Sequence, residues 1–192
     1  MPLTINNLHK AFGDKVVFDN FSYSFSDNGI YVLVGDSGRG KTTLLRIISG
    51  LDKDYAGEVL SDTAAYAFQE YRLFPVLNAL ENIAKILWER PTKEQIETTR
   101  NLLSTLGFSD ADMLLYPNAL SGGMKQRVSL CRAILAKKKI LLLDEPFKEL
   151  DGILHERLRT VLAKEAEERL IVLTAHNLNA LGDLKRTVVP IE

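Results

Sequence analysis

Along the chain the apolar residues change rhythm, and each change predicts a different element. Phe21, Tyr23 and Phe25 alternate with Ser22, Ser24 and Ser26, which predicts a half-buried strand, and Asn28-Gly29 supplies a turn after it. Ile30 to Val34 is an unbroken apolar run, as expected of a strand buried on both faces. It ends in a glycine-rich loop ahead of the helix-like KTTLLRIIS, closed by Gly50. Short strands are predicted near Gly57 to Leu60 and from Ala64 to Phe68, after which the spacing is helical to about residue 136. Within that stretch Thr92 and Gln95 form a capping box, Ile96, Leu103 and Leu106 share one face, and Gly107 ends the helix. A buried strand over Ile140 to Leu143, a helix after Asp151, and strands over Leu170 to Thr174 and Thr187 to Ile191 then restore strand–helix alternation. The expected class is α/β, a mostly parallel sheet interrupted by a helical insertion.

Composition narrows this picture. A length of 192 residues suits one domain, and 46% hydrophobic with 26% charged residues is ordinary for a globular protein. The net charge of -1 leaves no electrostatic footprint for nucleic acid, so no nucleic-acid partner is expected. The single Cys131 cannot form an internal disulfide, and MPLTINNLHK lacks the apolar core of a secretory signal, so a cytoplasmic setting is expected. No stretch approaches the roughly 20 apolar residues needed to cross a bilayer, so a membrane role would run through a partner. Cys131, among apolar residues of a predicted helix, reads as a small hydrophobe.

Candidate chemistry gathers at strand ends. Gly35-Asp36-Ser37-Gly38-Arg39-Gly40-Lys41-Thr42 fits G-x-x-x-x-G-K-[ST] and lies between a predicted buried strand and a helix, the context that motif needs. Glycines let backbone N–H groups cradle phosphates, the helix start adds positive dipole, Lys41 reaches the β and γ phosphates and Thr42 can ligate Mg²⁺. Thr43 follows in the first helical turn. Asp36 is expected to point outward, since a carboxylate beside a polyphosphate repels. Ile140 to Leu143 runs into Asp144-Glu145 at a strand end, placing Asp144 to hold Mg²⁺ and Glu145 to orient and deprotonate a water. Ser121-Gly122-Gly123-Met124 begins another helix with an N-cap and open N–H groups, a second anion-ready site.

Leu120-Ser121-Gly122-Gly123-Met124-Lys125-Gln126-Arg127 resembles the signature of ATP-binding cassette (ABC) proteins, and the resemblance covers nearly the whole chain. It implies a P-loop ATPase of ABC type, with residues 1–69 and 137–192 as the ATP-binding core, a trimmed N-terminal antiparallel β region, and about 70–136 as a helical subdomain. It also implies a head-to-tail dimer in which one subunit's P-loop and the other's Ser121 to Met124 enclose one ATP. Phe12 looks like the adenine-stacking aromatic, Val17 a ribose neighbour, Gln69 the glutamine touching metal and water, Asp151 the loop residue that acts across the dimer, and His176 the switch histidine. His9 and His155 match nothing and are expected at the surface.

Gln69 to Pro75 and Asp144 to Asp151, with the signature, look like ATPases of importers for nitrate, sulfonate and taurine. That resemblance implies a homodimer or heterodimer, an integral membrane permease, and a solute-binding protein reached through the permease. Peripheral attachment to the inner membrane face follows. Tyr71 to Val76 is expected to line the permease groove, with Leu73 and Phe74 exposed, or else to serve as core of the insertion. The alternatives are a non-transport cassette ATPase acting on nucleic acid or a scaffold, and a P-loop small-molecule kinase. The first would bring paired cassettes or basic insertions, and the second has no use for Ser121-Gly122-Gly123.

Overall fold

The computed structural model describes residues 3–175 and 177–191. In chain order the strands and α-helices are β1 (Thr4–Phe12), β2 (Lys15–Ser24), β3 (Gly29–Val34), α1 (Lys41–Ile48), β4 (Ala56–Leu60), β5 (Ala64–Ala67), α2 (Glu81–Leu87) and α3 (Lys93–Thr105). There follow α4 (Asp110–Met113), α5 (Gly122–Leu135), β6 (Ile140–Leu143), α6 (Gly152–Glu168), β7 (Leu170–Thr174) and β8 (Thr187–Pro190). A parallel five-stranded sheet runs β5-β6-β7-β3-β8, and a smaller antiparallel sheet runs β2-β1-β4.

The unbroken apolar runs are explained by two cores, one on each face of the parallel sheet. Ile30, Val32, Leu141, Leu143, Ile171 and Leu173 join one core, which α2, α3, α5 and α6 complete through residues such as Ile83, Leu103, Val128 and Leu158. The alternate residues Leu33, Ile140, Leu142, Leu170 and Val172 join the other, closed by Leu44, Leu45, Ile47 and Ile48 of α1 and by the antiparallel sheet. Because both faces are covered, polar alternation has no place in these strands.

The antiparallel sheet follows a less regular rhythm. Ile5 and Leu8 of β1 are both buried though three residues apart, because a register shift falls between them where Asn7 adopts φ 50. Gly57 of β4 fits against this irregularity: a Cβ there would meet the Asn7 carbonyl oxygen at 2.4 Å. Lys10, 2% exposed, has its ammonium 3.0 Å from Asp52 and 3.3 Å from Asp54.

The Thr92–Gln95 capping box is present, with Gln95 N–H donating to Thr92 Oγ1 at 3.2 Å and Thr92 N–H to Gln95 Oε1 at 2.9 Å. Cys131 is buried and its thiol pushed up by that burial, in keeping with a packing role. His155 corrects one expectation. It is half-buried, its ring edge-on to Phe147 and its Nε2 3.0 Å from the Phe147 carbonyl, because α6 packs against the turn after β6. His9 is at the surface, 3.3 Å from Asp19.

Candidate functional site

The loops that leave the C-terminal ends of β3, β5 and β6 converge, and the last residue of β7 joins them. A cavity of about 410 Å³ is lined by Phe12, Val17, Ser37, Gly38, Gly40, Lys41, Thr42, Thr43, Gln69, Asp144 and Glu145, together with Lys15, Lys148 and Thr174. Gly35, Asp36 and Arg39 belong to the loop but not to this lining, and Asp36 is exposed as expected.

Gly40 takes φ 98, and a Cβ on it would meet Val17 Cγ1 at 2.4 Å, so glycine is what lets Val17 approach the loop. Helix α1 then begins without a side-chain cap and without an acidic residue in its first turn. Its leading N–H groups and the positive end of its dipole are thus not neutralised by the chain's own first turn. Lys41, 8% exposed, donates from Nζ to the carbonyls of Gly35 at 2.7 Å and Asp36 at 2.8 Å.

Opposite lies the acidic pair. Thr174 Oγ1 donates to Asp144 Oδ1 at 2.7 Å, and Tyr66 hydroxyl donates to Asp144 Oδ2 at 3.3 Å. Burial first, then the Asp144 charge, pushes the Tyr66 phenol up, so Tyr66 remains a donor. Thr174 Oγ1 also accepts the Glu145 N–H at 2.9 Å, while Gln126 Nε2 donates to the Glu145 carbonyl at 2.9 Å. These two bonds hold Glu145 at φ 53, a conformation uncommon for a non-glycine residue. The Glu145 carboxylate is 14% exposed and lies 3.1 Å from Lys148 Nζ. An array of cationic and N–H donors facing a buried and a part-buried carboxylate across one cavity can bind a polyphosphate and deliver water to it.

Thr174, Tyr66 and Lys148 were not picked out by sequence reasoning, and Gln126 was quoted without a role. Their only trace is position: a hydroxyl ending an apolar strand, a phenol within one, and a lysine just past a carboxylate pair.

The second helix start stands apart. Ser121 caps α5, its Oγ accepting the Met124 N–H at 3.2 Å, yet none of Ser121, Gly122, Gly123 and Met124 lines the cavity. Gly122 and Gly123 lie instead against the chain's own Glu149, with Tyr71 also beside Gly122, and Met124 packs against the large core. Tyr71 hydroxyl donates to Glu149 Oε1 at 2.9 Å, and a Cβ on Gly122 would come within 2.7 Å of Glu149 Oε2. Asp151 is also outside the cavity and caps α6, accepting the Leu154 N–H at 3.0 Å. His176 lies outside the described residues. The segment from Tyr71 to Val76 divides: Leu73 packs against the large core, the alternative reading, while Phe74 and Val76 are exposed.

A family model described as ABC transporter matches residues 18–148. The chain belongs to the ABC transporter family. It is an ATP-binding cassette ATPase, and the fold agrees. A solved structure titled as the dimeric post-hydrolysis state of the ATP-binding cassette MJ0796 bound to ADP and Pi superposes with a TM-score of 0.85 at 26% identity, over 99% of this chain and 94% of that one. The cassette is 34% identical to the aliphatic sulfonates import ATP-binding protein SsuB of Bacillus cereus, over 98% of this chain and 80% of the relative. It is 39% identical to the sulfate/thiosulfate import ATP-binding protein CysA of Burkholderia mallei, over 83% of this chain and 50% of that longer relative. Nothing in these likenesses favours a non-transport ATPase. Among the described residues, no helix is long and apolar enough to cross a membrane.

Proposed function

We propose that this ABC ATPase powers an importer, with two cassettes closing head to tail around ATP beneath a separate membrane permease. The observation that carries the reading is the cavity itself, in which Lys41 and the open start of α1 face the Asp144–Glu145 pair. Phe12 stacks on adenine and Val17 lies near ribose. Lys41 exchanges the carbonyls of Gly35 and Asp36 for β and γ phosphate oxygens, and the N–H groups of the Gly35–Thr43 segment surround the chain of phosphates.

Thr42, Gln69 and Asp144, each with an oxygen donor, line one cavity, and among the described residues no group of three or more His, Cys, Asp or Glu is arranged to hold a metal ion. That donor set fits Mg²⁺, which keeps waters and substrate phosphates in its shell rather than a full protein cage. When bound it would supply charge neutralisation at the terminal phosphates. Glu145 orients water and accepts its proton, held in place by Thr174 and Gln126. His176 senses the terminal phosphate. Ser121, Gly122, Gly123 and Met124 complete the site from the other cassette, with Asp151 near the seam.

The import direction is carried over from the names of the sulfonate and sulfate relatives, and the proposed permease partnership places the ATPase at the cytoplasmic face of the membrane. Phe74 and Val76 support a permease groove. Their loop is tied by buried Asn82, whose Oδ1 accepts the Phe74 N–H at 2.8 Å and whose Nδ2 donates to the Leu77 carbonyl at 2.8 Å. Exposed Leu114 and Tyr116 adjoin this loop through the Ala79 N–H to Leu115 carbonyl bond at 2.9 Å. Cargo recognition is assigned to the permease and its binding protein. Lys41→Ala is expected to abolish ATP binding by calorimetry and all turnover, and a variant with normal turnover would remove the P-loop assignment.

A further inference from the structure

We infer that Lys148 is a further reader of the terminal phosphate, exchanging its ion pair with Glu145 for the phosphate when ATP enters. The inference rests on the proposal that this cavity is the ATP site and Glu145 its base.

Lys15, Lys41 and Lys148 line the cavity, and the last two are placed differently. Lys41 is buried, with its ammonium on two backbone carbonyls. Lys148 has a side chain 52% exposed, on a turn closed by its own N–H donating to the Glu145 carbonyl at 3.2 Å. Its backbone is therefore fixed beside the base, while a flexible four-carbon stem leaves the ammonium free to swing.

That ammonium sits 3.1 Å from Glu145 Oε2. There it occupies one of the two carboxylate oxygens of the base with a cation. A base so engaged is badly arranged for catalysis, so the contact has to be exchanged before turnover. A triphosphate supplies the competitor. It brings several negative charges into the same cavity, against the single charge of a carboxylate, and it offers oxygens to which an ammonium can bond.

Lys148 then leaves Oε2 for a terminal phosphate oxygen, and Oε2 becomes available to the attacking water. No covalent bond changes in this step, and each ion pair lost is replaced by another. ADP lacks the terminal phosphate, so with ADP bound Lys148 remains on Glu145. The exchange removes the Lys148 ion pair from the base only when a hydrolysable phosphate is present.

The test compares equilibrium binding of a non-hydrolysable ATP analogue and of ADP to the full chain. Lys148→Met, which keeps the stem and removes the charge, is expected to weaken the ATP analogue about tenfold while changing ADP less than about twofold. Lys148→Arg is expected to retain most of the ATP preference. Glu145→Gln removes the competing charge, so it should bind the ATP analogue more tightly than the parent chain, and that gain should vanish when Lys148→Met is added.

Equal shifts for the two nucleotides, no shift, or a gain that survives in the double variant would each overturn the inference. Thermal melting identifies any variant that has lost its fold, and Lys148→Gln provides a second uncharged replacement. Lys41→Ala separates the two levels: if it still binds the ATP analogue, the ATP-site reading itself fails. If Lys41→Ala loses the analogue while Lys148→Met keeps the parent ATP preference, only the role of Lys148 fails.

Discussion

Two helices of this chain begin with glycines and open N–H groups, and their surroundings differ. The start of α1 faces a cavity furnished with Lys41, Thr42, Gln69 and two carboxylates. The start of α5 has the better local cap, Ser121, but it lies outside that cavity, against Glu149 and Tyr71. A capped helix start can form without a ligand, whereas an uncapped one leaves donors for something else to satisfy. The difference favours α1 as the binding end within one chain, and the proposed head-to-tail dimer gives α5 a neighbour's site to act on. Gln126 connects the two, since it belongs to α5 and holds the carbonyl of Glu145.

The furnished end is broken most severely through its chemistry. Thr174→Val removes the hydroxyl that bridges Asp144 and the Glu145 N–H at nearly constant volume, and it leaves that buried N–H without its acceptor. Maximal rate should fall about tenfold to a hundredfold with nucleotide affinity little changed, and Thr174→Ser should recover most of it. Steady-state kinetics decide this, and an unaffected rate in Thr174→Val would exclude the bridge as a positioning device.

Phe12→Ala should act on the other term. Loss of an aromatic platform costs about tenfold in nucleotide affinity and leaves maximal rate intact. A loss confined to rate would show that Phe12 does not stack on adenine.

The smallest effect is expected beneath that platform. Lys10 Nζ lies 4.7 Å from the Phe12 ring centroid and pairs with Asp52. Burial tends to raise Asp52, but hydrogen bonding and charge from Lys10 outweigh it and hold the carboxyl below its ordinary 3.8. Burial likewise works to lower Lys10, yet bonds to Asp52 and Asp54 leave it above its ordinary 10.5. The Asp52 contribution is thus present above the ordinary carboxylate value and lost as pH falls through the lowered one. The Lys10 contribution is present below its ordinary value and lost as pH rises through the raised one. Asp52→Asn should lower the melting temperature by roughly 5 °C at neutral pH, with the difference shrinking in acid below the carboxylate range. A difference that persisted undiminished there would count against the pair.

The parallel sheet was legible because its strands are continuous apolar runs, a consequence of cores on both faces. The phosphate loop and the acidic pair were legible because their motifs are contiguous. β1 escaped because the irregularity at Asn7 breaks its period of two, and because Lys10 is a charged residue buried by partners more than forty positions away. Thr174, Tyr66 and Gln126 escaped for a related reason: each acts through a contact to Asp144 or Glu145 made only by folding. His155 was misplaced, and Leu73 was left open between groove and core, because local spacing does not reveal which way a loop or a helix turn will pack.

The central claim, that α5 of one cassette completes the α1 site of another, is tested most directly by sedimentation of Glu145→Gln with saturating ATP and Mg²⁺. Without its base the variant should bind ATP, fail to hydrolyse it, and accumulate as a dimer that is absent without nucleotide. Adding Ser121→Arg should return it to a monomer that still binds ATP through Lys41, because a bulky cation then stands where the neighbour's phosphate must dock. A Glu145→Gln chain that stayed monomeric, or a double variant that still dimerised, would contradict the shared site.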